Sequence, residues 1–150
     1  AHWLIDLGFD LIIGMHPHVL QGYEIYKGKY IFYSLGNFVF NMAWENTKYG
    51  AIVKLDVADG SVSYDYIRID DNYCPMVVSE REVPLFLRFA TLNDKINNVE
   101  NVETYMVNFK KNLLRYRRAN YVSILKNFHK SNFFFTMSIL KDFIKRRLSI

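Results

Sequence analysis

The feature that most limits how this chain can fold is a switch of pattern near residue 78. Before it, runs of aromatic and β-branched residues are punctuated by turn signals; after it, apolar residues recur at helical spacing. Tyr23-Glu24-Ile25-Tyr26 and Tyr30-Ile31-Phe32-Tyr33 flank Lys27-Gly28-Lys29, which supplies a glycine for a hairpin turn. Residues 49–57 and 61–70 flank Ala58-Asp59-Gly60, whose Asp-Gly pair is a strong hairpin signal. Ahead of both, Trp3, Leu4, Ile5 and Leu7 form a helical apolar face and Gly8 suits a left-handed cap. Leu11-Ile12-Ile13 then reads as a short buried strand. Leu35-Gly36-Asn37 reads as a turn and Phe38-Val39-Phe40 as a further apolar run.

Beyond residue 80, Pro84 suits a first helical turn, with Leu85, Phe86, Phe89 and Leu92 on its face, and Asn97, Asn98 and Asn101 end it. Residues 102–128 carry Tyr105, Met106, Phe109, Leu113, Tyr116, Ile124, Leu125 and Phe128 near a 3.6-residue period, with Lys110, Lys111, Arg115, Arg117 and Arg118 interleaved. A last helical pattern, residues 132–148, places Phe133, Phe134, Met137, Leu140, Phe143 and Ile144 on one face and clusters Lys141, Lys145, Arg146 and Arg147 late. These patterns predict a mixed α/β unit over residues 1–78 and a basic α-helical extension over 79–150.

Composition agrees with a folded chain: 51% of the 150 residues are hydrophobic and 23% charged, which excludes collagen-like and generally disordered classes. The net charge of +4 conceals two opposed halves. Residues 1–75 hold five Lys/Arg against nine Asp/Glu (−4), and residues 76–150 hold 14 against six (+8). Such asymmetry fits either a basic segment that meets an acidic partner or a solvated helical face. Cys74 is alone, so there is no intrachain disulfide framework. The opening Ala1-His2-Trp3-Leu4 lacks a secretory leader pattern and reads as internal to something longer. No run approaches the roughly 18 apolar residues of a membrane-spanning helix, so any such anchor is expected outside these residues.

One constellation carries chemistry: Gly14-Met15-His16-Pro17-His18, at the carboxyl end of the first strand, where open α/β sheets place their sites. In extended chain, His16 and His18 point to one side, and Pro17 stiffens the pair by restricting itself and the residue before it. Neutral imidazole is a common metal ligand, but two ligands do not close a site. From spacing alone, metal binding and ordinary surface or packing histidines both stand. His2 and His129 read as satisfied or solvated histidines, Asp6 and Asp10 as turn or capping residues, and Ser34 lacks the partners of a nucleophile.

The surrounding strings add to this. Residues 1–10, then Gly14-Met15-His16-Pro17-His18-Val19-Leu20-Gln21-Gly22, then Tyr30-Ile31-Phe32-Tyr33-Ser34-Leu35-Gly36-Asn37-Phe38-Val39-Phe40, closely resemble the CapA family of capsule-synthesis and poly-γ-glutamate-biosynthesis proteins. The resemblance covers residues 1–70 or so. It implies the C-terminal part of a calcineurin-like metallophosphoesterase αββα sandwich, in which His16 and His18 match the last Gly-His-x-His element of a site for two divalent metal ions (Mn, Fe or Zn). Met15, inserted between Gly14 and His16, departs from the phosphoesterase form of that element. The family's earlier motifs, bearing Asp, Asn, Glu and His, are absent from these 150 residues, so weak metal affinity and no turnover are expected of the chain by itself. Gly36-Asn37 resembles a CapA-type turn; Gln21 and Asn37 are candidates to line the substrate site by adjacency, or simply hydrogen-bond within turns.

By the same resemblance, the implied partners are an anionic polymer or phosphorylated intermediate and other capsule biosynthesis proteins, and the implied location is the bacterial cell envelope or its membrane. The basic helices, residues 132–150 above all, fit either an anionic membrane surface or packing with a solvated basic face; nucleic acid has the charge but no motif. A non-enzymatic scaffold, with a structural or vestigial His pair, is the alternative function.

Overall fold

The computed structural model describes residues 1–42, 44–98 and 102–126, with positions 137, 138, 141 and 144. Its order is α1 (His2–Asp6), β1 (Leu11–Ile13), β2 (Tyr23–Tyr26), β3 (Lys29–Phe32), β4 (Tyr49–Leu55), β5 (Val62–Ile69), β6 (Pro75–Val78), α2 (Phe89–Asn97) and α3 (Val102–Lys126). The fold is mixed α/β. Among the described residues the strands form two three-stranded sheets, ordered β1-β3-β2 and β4-β5-β6.

Both hairpins form where the turn chemistry places them. Lys27 and Gly28 take positive φ (51° and 76°), the signature of a tight two-residue turn whose twist matches its strands. The loop is therefore one residue shorter than the Lys27-Gly28-Lys29 turn expected, and Lys29 joins β3 opposite Tyr26. In the second hairpin, Asp56 and Asp59 carboxylates accept from the Ala58 and Ser61 N–H groups at 2.8 and 2.7 Å, closing the turn that joins β4 to β5. β1 lies parallel to β3, with Leu11 opposite Tyr30 and Ile13 opposite Phe32, which brings the end of β1 beside the chain that follows β3.

The sheets meet through the segment after β3. Leu35 bridges Leu20, Gly36 bridges Gly50, and Ala51 N–H donates to Leu35 O at 2.9 Å. One core, built on Leu20, Phe32, Tyr49, Tyr66, Val83, Leu87 and Phe89, joins both sheets to the segment leading into α2. Val83, Leu87 and Phe89 lie past residue 78, so the change of composition there is not a gap in packing. Phe89 is completely buried, edge-on to Phe32 and Tyr64, and its N–H donates to Tyr66 Oη at 2.7 Å. Burial raises the Tyr66 phenol above its ordinary value. From α2, Asn93 Oδ1 accepts the Tyr23 N–H at 2.7 Å.

Three expectations change. The helix expected from Pro84 starts at Phe89, because Arg88 is extended and its guanidinium donates to Val83 O (3.0 Å) and Arg81 O (3.2 Å); Leu85–Leu87 is a separate 3-10 turn with Leu85 and Phe86 exposed. Phe38-Val39-Phe40, a further apolar run among the strand patterns, is irregular and exposed. In α3 the expected apolar face is only half covered: Leu113, Tyr116 and Ile124 are partly buried, whereas Met106, Phe109 and Leu125 are exposed. Tyr116 makes its contacts with Trp44, ring centroids 6.2 Å apart, and with Met42 Sδ, to which its hydroxyl donates at 3.8 Å. The helix expected over 132–148 lies outside the described residues apart from helical positions 137, 138, 141 and 144, and His129 also lies outside them.

Candidate functional site

The loop from Gly14 to Val19 leaves β1 and is held at both ends. At its start, Gly14 N–H donates to Phe32 O at 2.7 Å. A Cβ at position 14 would lie 2.3 Å from Tyr33 O, so only glycine permits this approach. At its end, Leu20 is buried and bridged to Leu35, Gln21 N–H donates to Ser34 O at 3.0 Å, and Tyr33 N–H donates to Gly22 O at 3.2 Å.

Pinned in this way, the loop is not extended at its histidines. His16 has φ 101° and His18 φ 60°, both in the left-handed region that residues with a side chain rarely occupy. The expected route to convergence, alternation along an extended chain with Pro17 pushing His16 towards β, is therefore overturned by the tertiary pins. The two rings nevertheless lie side by side, with centroids 5.7 Å apart and planes tilted by 46°. Strained backbone of this kind costs about 1–3 kcal/mol per residue and gathers at functional sites.

His18 is half-buried and its orientation is fixed. Its Nδ1 lies 3.0 Å from Asn37 Oδ1. Asn37 is buried, and its Nδ2 donates to Thr47 O at 3.2 Å, which assigns the amide oxygen to the side facing His18. An amide oxygen only accepts, so His18 Nδ1 carries the proton and Nε2 of the neutral ring keeps a lone pair. Thr47 is itself fully enclosed: its Oγ1 accepts from Met42 N–H at 2.9 Å and lies 2.6 Å from Trp44 O, where it donates. Phe40 stands edge-on to the His18 ring at 5.3 Å. Gly50 completes the support, since a Cβ there would lie 2.3 Å from Asn37 O.

The structure thus joins His16, His18 and Asn37, with Asn37 acting through His18. Gln21 is placed next to this loop by its main chain. Ser34 is buried and its Oγ accepts from Gly36 N–H at 3.3 Å, a turn role. His2 stacks on Tyr26 with its Nε2 2.7 Å from Glu24 Oε1. Asp6 and Asp10 pair with Lys27 and Lys29 at the turn of the first hairpin, each at 2.6 Å, instead of capping or closing turns. The Lys27 ammonium holds the Asp6 carboxyl below the usual carboxylate range. Thr47, Phe40 and Gly50 were not singled out by sequence; each acts across a fold contact that leaves no local pattern.

Two imidazoles, one with a free and oriented Nε2, fit one edge of a divalent metal site. Among the described residues, no group of three or more His, Cys, Asp or Glu gathers to close one.

The family model described as bacterial capsule synthesis protein PGA_cap matches residues 1–42, which include the His loop and Asn37. Over part of its length the chain is similar to CapA-family proteins. It is 48% identical over 63 residues, 42% of its length, to "Capsule biosynthesis protein CapA" of Bacillus anthracis. It is 44% identical over 71 residues, 47% of its length, to "PGA biosynthesis protein CapA" of Bacillus subtilis (strain 168). The chain spans 15% and 19% of the length of these CapA relatives. Among its described residues, no helix is long and apolar enough to cross a membrane.

Proposed function

We propose that residues 1–78 close a calcineurin-like αββα sandwich in a capsule or poly-γ-glutamate biosynthesis protein of the cell envelope, and that residues 79–150 extend it. His16 and His18 are the last His-x-His element of a centre for two divalent metal ions (Mn, Fe or Zn) that performs phosphoester-type hydrolysis. The observation that carries this reading is the His18 Nδ1 to Asn37 Oδ1 contact of 3.0 Å, which leaves Nε2 aimed for a ligand. The substrate class is an anionic polymer or a phosphorylated intermediate, handled together with other capsule biosynthesis proteins.

When bound, paired metal ions lower the pKa of a coordinated water and neutralise charge on the reacting oxygens. The chain's own residues prepare for this. Both imidazoles are available as ligands, Asn37 holds the His18 tautomer, and Phe40 shields one edge of the ring. His16 and His18 are ligands here, not general bases.

The test is metal analysis of the native protein beside a His16→Ala/His18→Ala variant, with hydrolysis of bis-p-nitrophenyl phosphate as the activity probe. Loss of both metal and hydrolysis in the variant supports the reading; unchanged metal content overturns it. A non-enzymatic scaffold is the second reading, favoured by the gathering of only two imidazoles among the described residues. It predicts a native protein that binds no metal and assembles with its partners whether or not the histidines are present.

A further inference from the structure

α3 presents a second side, opposite the contact that Tyr116 makes with Trp44 and Met42. Val107 and Leu125 each lie nine residues from Tyr116, two and a half turns away, and so on the side opposite its contacts with Trp44 and Met42. Leu114 lies two turns from Val107 and falls in the same row. These three side chains are 48%, 70% and 64% exposed for Val107, Leu125 and Leu114. Arg117 and Lys110 flank the row on one side, Lys111 and Arg118 on the other, and all four are exposed. Over the whole helix, six basic residues face one acidic residue, Glu103.

We propose that α3 is an interfacial helix that lies on an anionic phospholipid surface, with Val107, Leu114 and Leu125 entering the acyl boundary. Lys110, Lys111, Arg117 and Arg118 reach up to the headgroups, since long basic side chains lay their stems along apolar surface and keep their charge at its edge. Charge complementarity selects this occupant over the others. In a seam with a second copy, Lys111 and Arg118, each four residues beyond an apolar member of the row, would bring like charges together. A nucleic acid would engage the cations but leave the apolar row in water. At 1.5 Å per residue the 25-residue helix is about 38 Å long, enough to lie along the surface over several turns. The proposal concerns α3 alone and does not depend on the metal reading.

The test is co-sedimentation of the 150-residue chain with vesicles of equimolar phosphatidylglycerol and phosphatidylcholine, and with phosphatidylcholine alone. The chain is expected to bind the anionic vesicles, more weakly at high salt, and not the neutral ones. Each basic residue at such a surface strengthens binding about fivefold, so Lys111→Gln/Arg118→Gln is expected to weaken it by roughly 25-fold. Leu114→Ser/Leu125→Ser is expected to weaken it by about tenfold or more. Lys48→Gln, at a cation just before β4 that pairs with Asp71, serves as the control and leaves binding unchanged. Circular dichroism checks that each variant keeps its helix content.

Failure to bind anionic vesicles, equal binding to neutral ones, or binding that neither α3 variant weakens overturns the proposal. So does a concentration-dependent dimer that Leu114→Ser/Leu125→Ser abolishes, which assigns the row to a second copy. Binding to polyuridylate that is lost in the charge variant but kept in the leucine variant, without vesicle binding, assigns the surface to nucleic acid.

Discussion

Asn37 Oδ1 accepts from His18 Nδ1 across 3.0 Å while the same amide donates to Thr47 O, so a residue 19 positions away sets which imidazole nitrogen is left for chemistry. Asn37→Ala removes that constraint and leaves the Thr47 carbonyl without its partner. Metal affinity of the native protein is expected to fall about 10–100-fold, as for other outer-shell partners. The fold is expected to lose about 1–3 kcal/mol. Metal titration of wild type and variant, with urea unfolding alongside, measures both; unchanged affinity argues against a positioning role.

His16 combines an exposed side chain with φ 101°. His16→Gly relieves the backbone, and after the extra unfolded-state entropy of glycine the chain is expected to gain roughly 1 kcal/mol. The same variant loses a ligand. A urea midpoint that rises while metal binding falls is the expected pair of results.

The start of the loop is the least tolerant point. Gly14→Ala places a Cβ 2.3 Å from Tyr33 O, which is backbone and has no rotamer to yield. A loss of about 1–3 kcal/mol is expected, with displacement of the His loop visible as shifted His16 and His18 imidazole resonances.

Phe89, the first residue of α2, enters the core between Phe32, Tyr64 and Tyr66. Phe89→Ala is expected to cost about 3–5 kcal/mol, read as a lowered urea midpoint. A loss comparable to that of an exposed substitution would show that α2 is not part of the cooperative unit.

Alkaline pH tests the buried phenols. Burial and, after it, donation to Glu24 push Tyr33 up to about 12, and burial also raises Tyr64 and Tyr66. An unfolded tyrosine ionises near 10. Between about pH 10 and 12 the unfolded chain therefore binds fewer protons than the folded one, and stability present below pH 10 is lost as pH rises. Unfolding midpoints across this window are expected to fall, and to fall less steeply in Tyr33→Phe.

The elements legible in sequence are those whose causes are local. Asp59-Gly60 and Lys27-Gly28 carry their own turn chemistry, and both hairpins formed there. The start of α2 was not legible, because it depends on Arg88 reaching back to Val83 O and Arg81 O. Within the site, the His pair was legible as residue types. Its geometry was not, because the positive φ of His16 and His18 comes from bonds to Phe32 and Ser34 that hold the loop ends. Asn37 was legible as a turn residue and as a candidate by adjacency; its contact with His18 is made by the fold.

The most direct measurement is two-dimensional 15N–1H NMR of the histidine side chains during Zn2+ titration of the 150-residue chain. Neutral His18 is expected as the Nδ1–H tautomer before metal is added. Zn2+ is then expected to shift Nε2 of both His16 and His18, with weak affinity and no turnover in this chain alone. An Nε2–H tautomer for His18, or Zn2+ shifts confined to other histidines, would contradict the account.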